Sequence, residues 1–180
     1  MFGIEDENRR RLEELAGRIP KGVPQGWQEF SFAVGGLLYI GFSETYTEKL
    51  ICISSQSQSL IDCETGAKAY CDENYDEHNL IACAQELGDE IVPIAGIGGG
   101  GLRLCSQAGD FLERIAPYWP QEQVVFMPKY ASWYSKPEQC SVIFEDYEIR
   151  ACGFSRCGRY MAACSASDLK IFRKLSLPSE

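Results

Sequence analysis

The sequence predicts a mainly β protein with one N-terminal amphipathic helix. Two patterns support this fold class: a helical apolar repeat in residues 5–19, and short apolar runs between Gly, Ser and Thr residues throughout 27–174. The chain of 180 residues, 45% of them hydrophobic, is long enough to bury a core as one domain spanning 1–180. We therefore expect antiparallel, meander-rich sheets that form a partial propeller, a sandwich or a half-barrel.

The helix is predicted over residues 5–19, because its apolar residues recur at helical spacing. These residues are Leu12, Leu15, Ala16 and Ile19. Acids stand four residues before bases, as in Glu14 and Arg18, an arrangement that stabilises helices. The basic triplet at 9–11 is therefore interpreted as a salt-bridged helix face and not as a binding patch. Pro and Gly residues from 20 to 26 end the helix and link it to the β region.

Two segments of the β region, residues 39–66 and 150–174, resemble each other. Each reads G-F-S, then a polar turn, an apolar strand, a Ser-rich turn, and a Leu within another strand. This order predicts that each copy forms an antiparallel meander, in which every strand pairs with the next one along the chain.

The first copy resembles a blade of a WD-repeat β-propeller. Its matching positions are Phe42-Ser43, the strand at 50–55, Asp62 and Thr65-Gly66. The second copy matches at Phe154-Ser155 and at residues 169–172 but lacks the Thr-Gly pair. The resemblance covers about 50 of the 180 residues. Because a closed propeller needs at least about four blades, the two copies imply a partial propeller and a non-enzymatic scaffold.

More loosely, the chain resembles small uncharacterised bacterial cytosolic proteins, many of which are toxin-immunity proteins. The bulk composition is in line with a cytoplasmic protein. The longest apolar run, residues 32–42, is too short for a membrane span, and the first residues carry acids where a signal peptide carries bases. The net charge of −9, from 26 acids and 17 bases, opposes nucleic-acid binding. We expect neither a nucleic acid nor a membrane as partner, and the sequence sets no oligomeric state.

The nine cysteines are predicted to be reduced core residues. Their number is odd, the chain includes no CxxC pair, and several lie inside apolar strand-like runs such as Ile51-Cys52-Ile53. Disulfide frameworks and zinc sites usually show paired cysteines. Asp72, Asn74 and Asp76 have the spacing of calcium-loop ligands, but the loop lacks the Gly and the final Glu that such a site needs. We therefore expect no metal and no cofactor.

Negative charge is concentrated between residues 62 and 90. This stretch contains nine acids and one base, Lys68, so its net charge is 1 − 9 = −8 of the total −9. Such a concentration produces a directional field that attracts a basic partner, and tyrosines interleaved with the acids add contact area. The predicted partner-binding residues are Asp72, Glu73, Tyr75, Asp76 and Glu77. A solvated loop that only aids solubility is the open alternative.

Two segments match a ligand-binding or catalytic motif only in part. Gly96, Gly98 and Gly101 match G-x-G-x-x-G, but an alternating, strand-like run follows where a dinucleotide site needs a helix. Residues 153–157, GFSRC, approach the nucleophile elbow G-x-S-x-G but end in Cys. The sole histidine, His78, lies in a polar stretch. No catalytic residues are therefore assigned.

The sequence thus favours a non-catalytic protein-binding module. Its concrete form is an immunity protein that neutralises a basic toxin through the acidic surface of 62–90. The competing hypothesis is a small-ligand-binding protein or an enzyme that uses the Gly96–Gly101 loop with Cys105 or His78.

Overall fold

The computed structural model describes residues 2–176, with side chains from residue 7 onward. Helix α1 runs from Phe2 to Gly17, against the predicted 5–19. Its buried residue Ala16, with Ile19 just after the helix, packs against the β region. No helix within the described residues is long and apolar enough to cross a membrane.

The ion pairs of the helix differ in part from those expected. Arg9 pairs with Glu13 at 2.9 Å. Arg18 pairs at 3.6 Å with Glu138 and not with Glu14, because Arg18 follows the last helical turn and faces the neighbouring 3-10 segment. Among the side chains described from residue 7 onward, the basic triplet forms one pair within the helix. The expected partners Glu5 and Asp6 lie outside these described side chains, and exposed pairs add little stability.

Within residues 2–176, fifteen strands follow α1, with 3-10 turns at Gln85–Leu87 and Pro137–Gln139. The strands are β1 (Trp27–Ala33), β2 (Leu37–Phe42), β3 (Lys49–Ser54), β4 (Gln58–Asp62), β5 (Lys68–Cys71), β6 (Tyr75–Asp76), β7 (Ile81–Ala82), β8 (Val92–Pro93), β9 (Ala95–Gly96), β10 (Phe111–Tyr118), β11 (Gln121–Met127), β12 (Ser141–Asp146), β13 (Ala151–Phe154), β14 (Tyr160–Cys164) and β15 (Asp168–Lys174). The predicted mainly β class with one N-terminal helix is confirmed.

The strands form four antiparallel sheets. Sheet A has the order β10-β11-β12, sheet B β1-β15-β14-β13, sheet C β5-β4-β3-β2-β9, and sheet D β6-β7-β8. Sheets B and C share the largest buried cluster, which includes Ile40, Leu50 and Ile171. None of the sheets closes into a barrel within residues 2–176.

Both copies of the repeat form the predicted meander, β2-β3-β4 in sheet C and β13-β14-β15 in sheet B. The serine of each G-F-S is buried, and its hydroxyl accepts a backbone N–H across the first turn. Tyr46 N donates to Ser43 Oγ at 2.7 Å, and Tyr160 N donates to Ser155 Oγ at 3.3 Å. The repeat therefore reflects one turn chemistry used twice.

The Ser-rich turn is repeated in the same way. Gln56 N donates to Ser54 Oγ at 3.3 Å in the first copy. Ser167 N donates to Ser165 Oγ at 3.4 Å in the second. A serine that bonds the backbone two residues on is a common way to fix a tight turn.

The glycine of each G-F-S allows another segment to approach closely. A Cβ on Gly41 would lie 2.5 Å from the Pro93 carbonyl oxygen, and one on Gly153 would overlap the Leu102 side chain. Both glycines have φ values that any residue adopts, so the requirement is for space and not for backbone freedom.

We expect Gly41→Ala and Gly153→Ala each to lower the free energy of unfolding by about 1–3 kcal/mol, the usual cost of overpacking. Urea denaturation measures the loss. Gly35→Ala is the matched control, because nothing lies within 4 Å of its Cβ position. Equal losses in all three variants would contradict the account.

Candidate functional site

The acidic segment, residues 72–90, packs across one face of sheet C. It forms β6, β7 and the 3-10 turn, and its apolar side chains enter a buried cluster with that sheet. Ala82 and Leu87 from the segment contact this cluster, which also contains Tyr39 and Ile51. The inner side of the segment is therefore core, while its outer side carries the acids.

A buried amide fixes the segment to sheet C. Gln58, fully buried at the start of β4, donates from Nε2 to the Cys83 carbonyl oxygen at 2.7 Å. Its Oε1 accepts the Asn74 N–H at 3.1 Å. Because a buried amide without partners is costly, these two bonds hold both ends of the β6–β7 hairpin in place.

Glu90 fixes the other end of the segment. Its carboxylate accepts the Ser43 hydroxyl at 2.6 Å and the Glu44 N–H at 2.6 Å. Burial alone raises the pKa of Glu90, but the hydrogen bonds from Ser43, Glu44 and Thr45 outweigh it, so the pKa lies below its ordinary range. This acid therefore stabilises the first turn of the repeat.

Asp62 and Glu64 also have internal partners. Asp62 pairs with Lys49 at 2.8 Å. Glu64 accepts the Tyr160 hydroxyl at 2.6 Å and Arg173 Nη1 at 2.9 Å. The Tyr160 hydrogen bond, followed by the charges of Arg173 and Arg159, holds the pKa of Glu64 below its ordinary range. The acidic surface predicted over 62–90 therefore narrows to residues 72–89.

Six acids remain exposed, with no ion pair among the described residues. They are Asp72, Glu73, Asp76, Glu77, Glu86 and Asp89, which we call the acidic surface. No Lys or Arg occurs between residues 72 and 89. The acidic surface includes all four carboxylates of the predicted site.

Asp76 also organises its own turn. Its carboxylate accepts the His78 N–H at 2.8 Å and the Asn79 N–H at 3.0 Å. The Asn79 backbone bond is the main cause of a lowered Asp76 pKa. This carboxylate is therefore ionised and held in one orientation.

Several of these acids affect the pKa values of two neighbouring side chains. Burial and then the charges of Glu77 and Glu73 raise the pKa of Tyr75. Burial likewise raises the pKa of Cys71, with further contributions from Glu86 and Asp72. The carboxylates thus affect Tyr75 within the acidic segment and Cys71 at the end of β5, just before it.

The two tyrosines of this region have different environments. Tyr75, a predicted contact residue, is half-buried, and its ring centroid lies 6.4 Å from that of Tyr39. Tyr70 on β5 is 76% exposed. The exposed aromatic beside the acidic surface is therefore Tyr70, whereas Tyr75 packs the segment onto sheet C.

The glycine run forms a tight turn at the edge of sheet C. Gly96 pairs with Tyr39, and Gly96 and Gly99 exchange backbone hydrogen bonds of 2.8 and 3.1 Å. A Cβ at Gly96 would collide with the Leu38 carbonyl oxygen. The chain after Gly101 continues through isolated bridges and not a helix, so the phosphate-binding geometry of a dinucleotide loop is missing.

The other residues of the ligand-binding hypothesis lie on the surface. His78 and Cys105 are both exposed. The cleft at Gly101 measures about 160 Å³ and includes Arg103 and Phe154. That volume is small beside the hundreds of cubic ångströms typical of ligand sites.

The nine cysteines are free thiols, but the prediction that they are core residues is wrong for Cys105, which is exposed. Burial raises the pKa of Cys52 to about 11 and that of Cys164 to about 12, so both are protonated and pack as small hydrophobic residues. The G-F-S-R-C segment leads from β13 into β14 and not into a helix, unlike a nucleophile elbow. No group of three His, Cys, Asp or Glu side chains within the described part of the chain has the geometry to hold a metal.

Comparison with known proteins yields no relative. No family model, curated protein or solved structure matches the chain. The function is therefore inferred from the geometry and charge of the site.

Replacing Glu64 with Gln tests its structural role. We expect Glu64→Gln to lower the free energy of unfolding by up to about 1 kcal/mol at neutral pH, since the carboxylate is partly exposed and screened by solvent. The pKa of Glu64 is lower in the folded protein than in the unfolded chain, where it is about 4.3. The stabilisation by the Glu64 carboxylate is therefore fully present above about pH 4.3 and is lost as the pH falls through the pKa of the folded protein.

The difference in unfolding free energy between wild type and Glu64→Gln should thus shrink as the pH falls below about 4. Chemical denaturation across this range measures it. Glu14→Gln serves as the control, because Glu14 is exposed and forms no ion pair among the described residues. A difference that stays constant with pH would refute the role.

Proposed function

We propose that the protein is a non-catalytic binding module that docks a basic protein partner on the acidic surface. The observation that carries this proposal is that six exposed carboxylates lack ion-pair partners in the described chain, on a segment whose inner side is packed. Three nearby acids, Asp62, Glu64 and Glu90, have partners. Charge left uncompensated on an ordered segment is available to a partner.

The folded state of the acidic segment before binding favours association with a partner. A segment that is already folded loses little conformational freedom on binding, which lowers the cost of association. Grouped charges of one sign also accelerate the encounter with an oppositely charged partner. This advantage decreases with salt, because the screening length is about 10 Å at 0.1 M ionic strength.

The concrete form of the proposal is a cytoplasmic immunity protein that neutralises a basic toxin domain. A nuclease is a suitable target, because an enzyme that holds phosphates presents Lys and Arg at its active site. An acidic surface can occupy such a site in place of the nucleic acid. The two related meanders would then serve as a partial-propeller scaffold that positions the acidic segment.

Charge reversal tests the proposal. The triple variant Asp72→Lys, Glu73→Lys and Glu77→Lys spares Asp76, which organises its turn. A matched control reverses three exposed acids elsewhere that also form no ion pair among the described residues, Glu7, Glu14 and Asp168. Each form is immobilised as bait in a lysate of the source organism, and retained proteins are identified by mass spectrometry.

We expect wild type and control to retain a basic protein that the triple variant loses. Its association rate with wild type should fall at least about tenfold between low and high salt. Retention by the triple variant equal to that of wild type, or a rate independent of salt, would refute the proposal.

A further inference from the structure

Strand β5 is an open edge of sheet C. It pairs with β4 on one side only. Asp62 N donates to the Ala67 carbonyl oxygen at 2.8 Å, and backbone groups alternate in direction along an antiparallel strand. The residues whose groups face β4 are therefore Ala67, Ala69 and Cys71. The N–H and C=O groups of Lys68 and Tyr70 point away from the sheet.

No backbone group within residues 2–176 bonds to this outer edge. Lys68, Ala69 and Tyr70 are all exposed. An open edge is a template for a further strand, and proteins commonly block such edges. The edge of β5 therefore has unused hydrogen-bonding capacity next to the acidic surface.

A cleft of about 470 Å³ runs beside this edge. Its apolar lining includes Leu60, Ala69 and Leu87. Its charged lining consists of Glu86, Lys68, and Lys49 paired with Asp62. Because Ala69 belongs both to β5 and to the cleft, a strand added to β5 would place alternate side chains over this apolar lining.

The acids near β5 favour a basic segment as the occupant of this edge. Asp72 and Glu73 directly follow β5, and Glu86 lines the same cleft as Ala69 of β5. A second copy of the chain would bring a second set of these carboxylates to the same edge, which is unfavourable. An extended segment with basic residues would be attracted instead.

We propose that an extended basic segment of the partner adds to β5 as a further strand. Its backbone bonds to Lys68 and Tyr70, an apolar side chain enters the cleft, and basic side chains face Asp72, Glu73 and Glu86. This inference rests on the proposed function and specifies its mode as strand addition.

Peptide probes test the mode on the unmodified protein. The probe is a short capped peptide that alternates arginine and valine. A control peptide of the same sequence carries N-methyl groups on alternate backbone amides, which removes hydrogen-bond donors but keeps every charge. We expect calorimetry to show at least about tenfold weaker binding of the methylated peptide, the effect of losing two hydrogen bonds. In the complex, hydrogen exchange at the Lys68 and Tyr70 amides should slow.

A protein variant provides the second readout. Tyr70→Pro removes an outward N–H without touching the β4 ladder, and Tyr70→Val keeps that N–H. We expect about tenfold weaker peptide binding for Tyr70→Pro than for Tyr70→Val. A second copy as the occupant would instead appear as self-association in light scattering that Tyr70→Pro abolishes, and this result would overturn the proposal.

Equal affinity for the methylated and unmethylated peptides would overturn strand addition. Absence of binding at peptide concentrations up to about 1 mM, where even a binding free energy of about −4 kcal/mol would be detected, would overturn it as well. The proposed function can survive that result, since its test is the loss of a captured protein on charge reversal. Conversely, if the charge-reversed triple variant captures the same protein as wild type, the proposed function is refuted, whatever the result of the peptide binding measurements.

Discussion

The buried Gln58 amide is the constraint on which the acidic surface depends. It bonds Asn74 and Cys83, on either side of a hairpin that contains the exposed acids Asp76 and Glu77 and no Lys or Arg. Like charges held close together repel, so this hairpin would spread if charge alone acted. The amide bonds and the apolar residues beneath, such as Ala82 and Leu87, oppose that repulsion and keep the carboxylates on one side.

Acids of one stretch have two distinct roles, and the difference lies in their neighbours. Asp62, Glu64 and Glu90 have bases or backbone N–H groups within hydrogen-bonding distance, which lowers their pKa values and joins segments of the fold. The acidic surface has no such bases. A carboxylate with an internal partner attracts a docking protein less than an unpaired one does. The surface available for docking is therefore smaller than the net charge of residues 62–90 suggests.

Local patterns predicted the fold class, the helix and both meanders, because turn serines and apolar alternation act over a few residues. Long-range partners could not be predicted in this way. Glu64 meets Tyr160 across 96 positions of the chain, and nothing near Gln58 in sequence shows that its side chain reaches Cys83. Tyr75 was assigned to the surface since it stands among acids, yet its ring packs on Tyr39. The one available signal was that polar Gln58 and Ser59 begin a strand that continues into the apolar pair Leu60-Ile61.

The order of the acidic segment can be measured in the free protein by amide hydrogen exchange. The amides of Asn74 and Cys83 bond to Gln58 Oε1 and to the Asn74 carbonyl oxygen, respectively. If the segment is held on sheet C, both amides should exchange about as slowly as those of β3 and β4, since they open with the same cooperative unit. Exchange at the rate of an unstructured chain would contradict a preformed acidic surface.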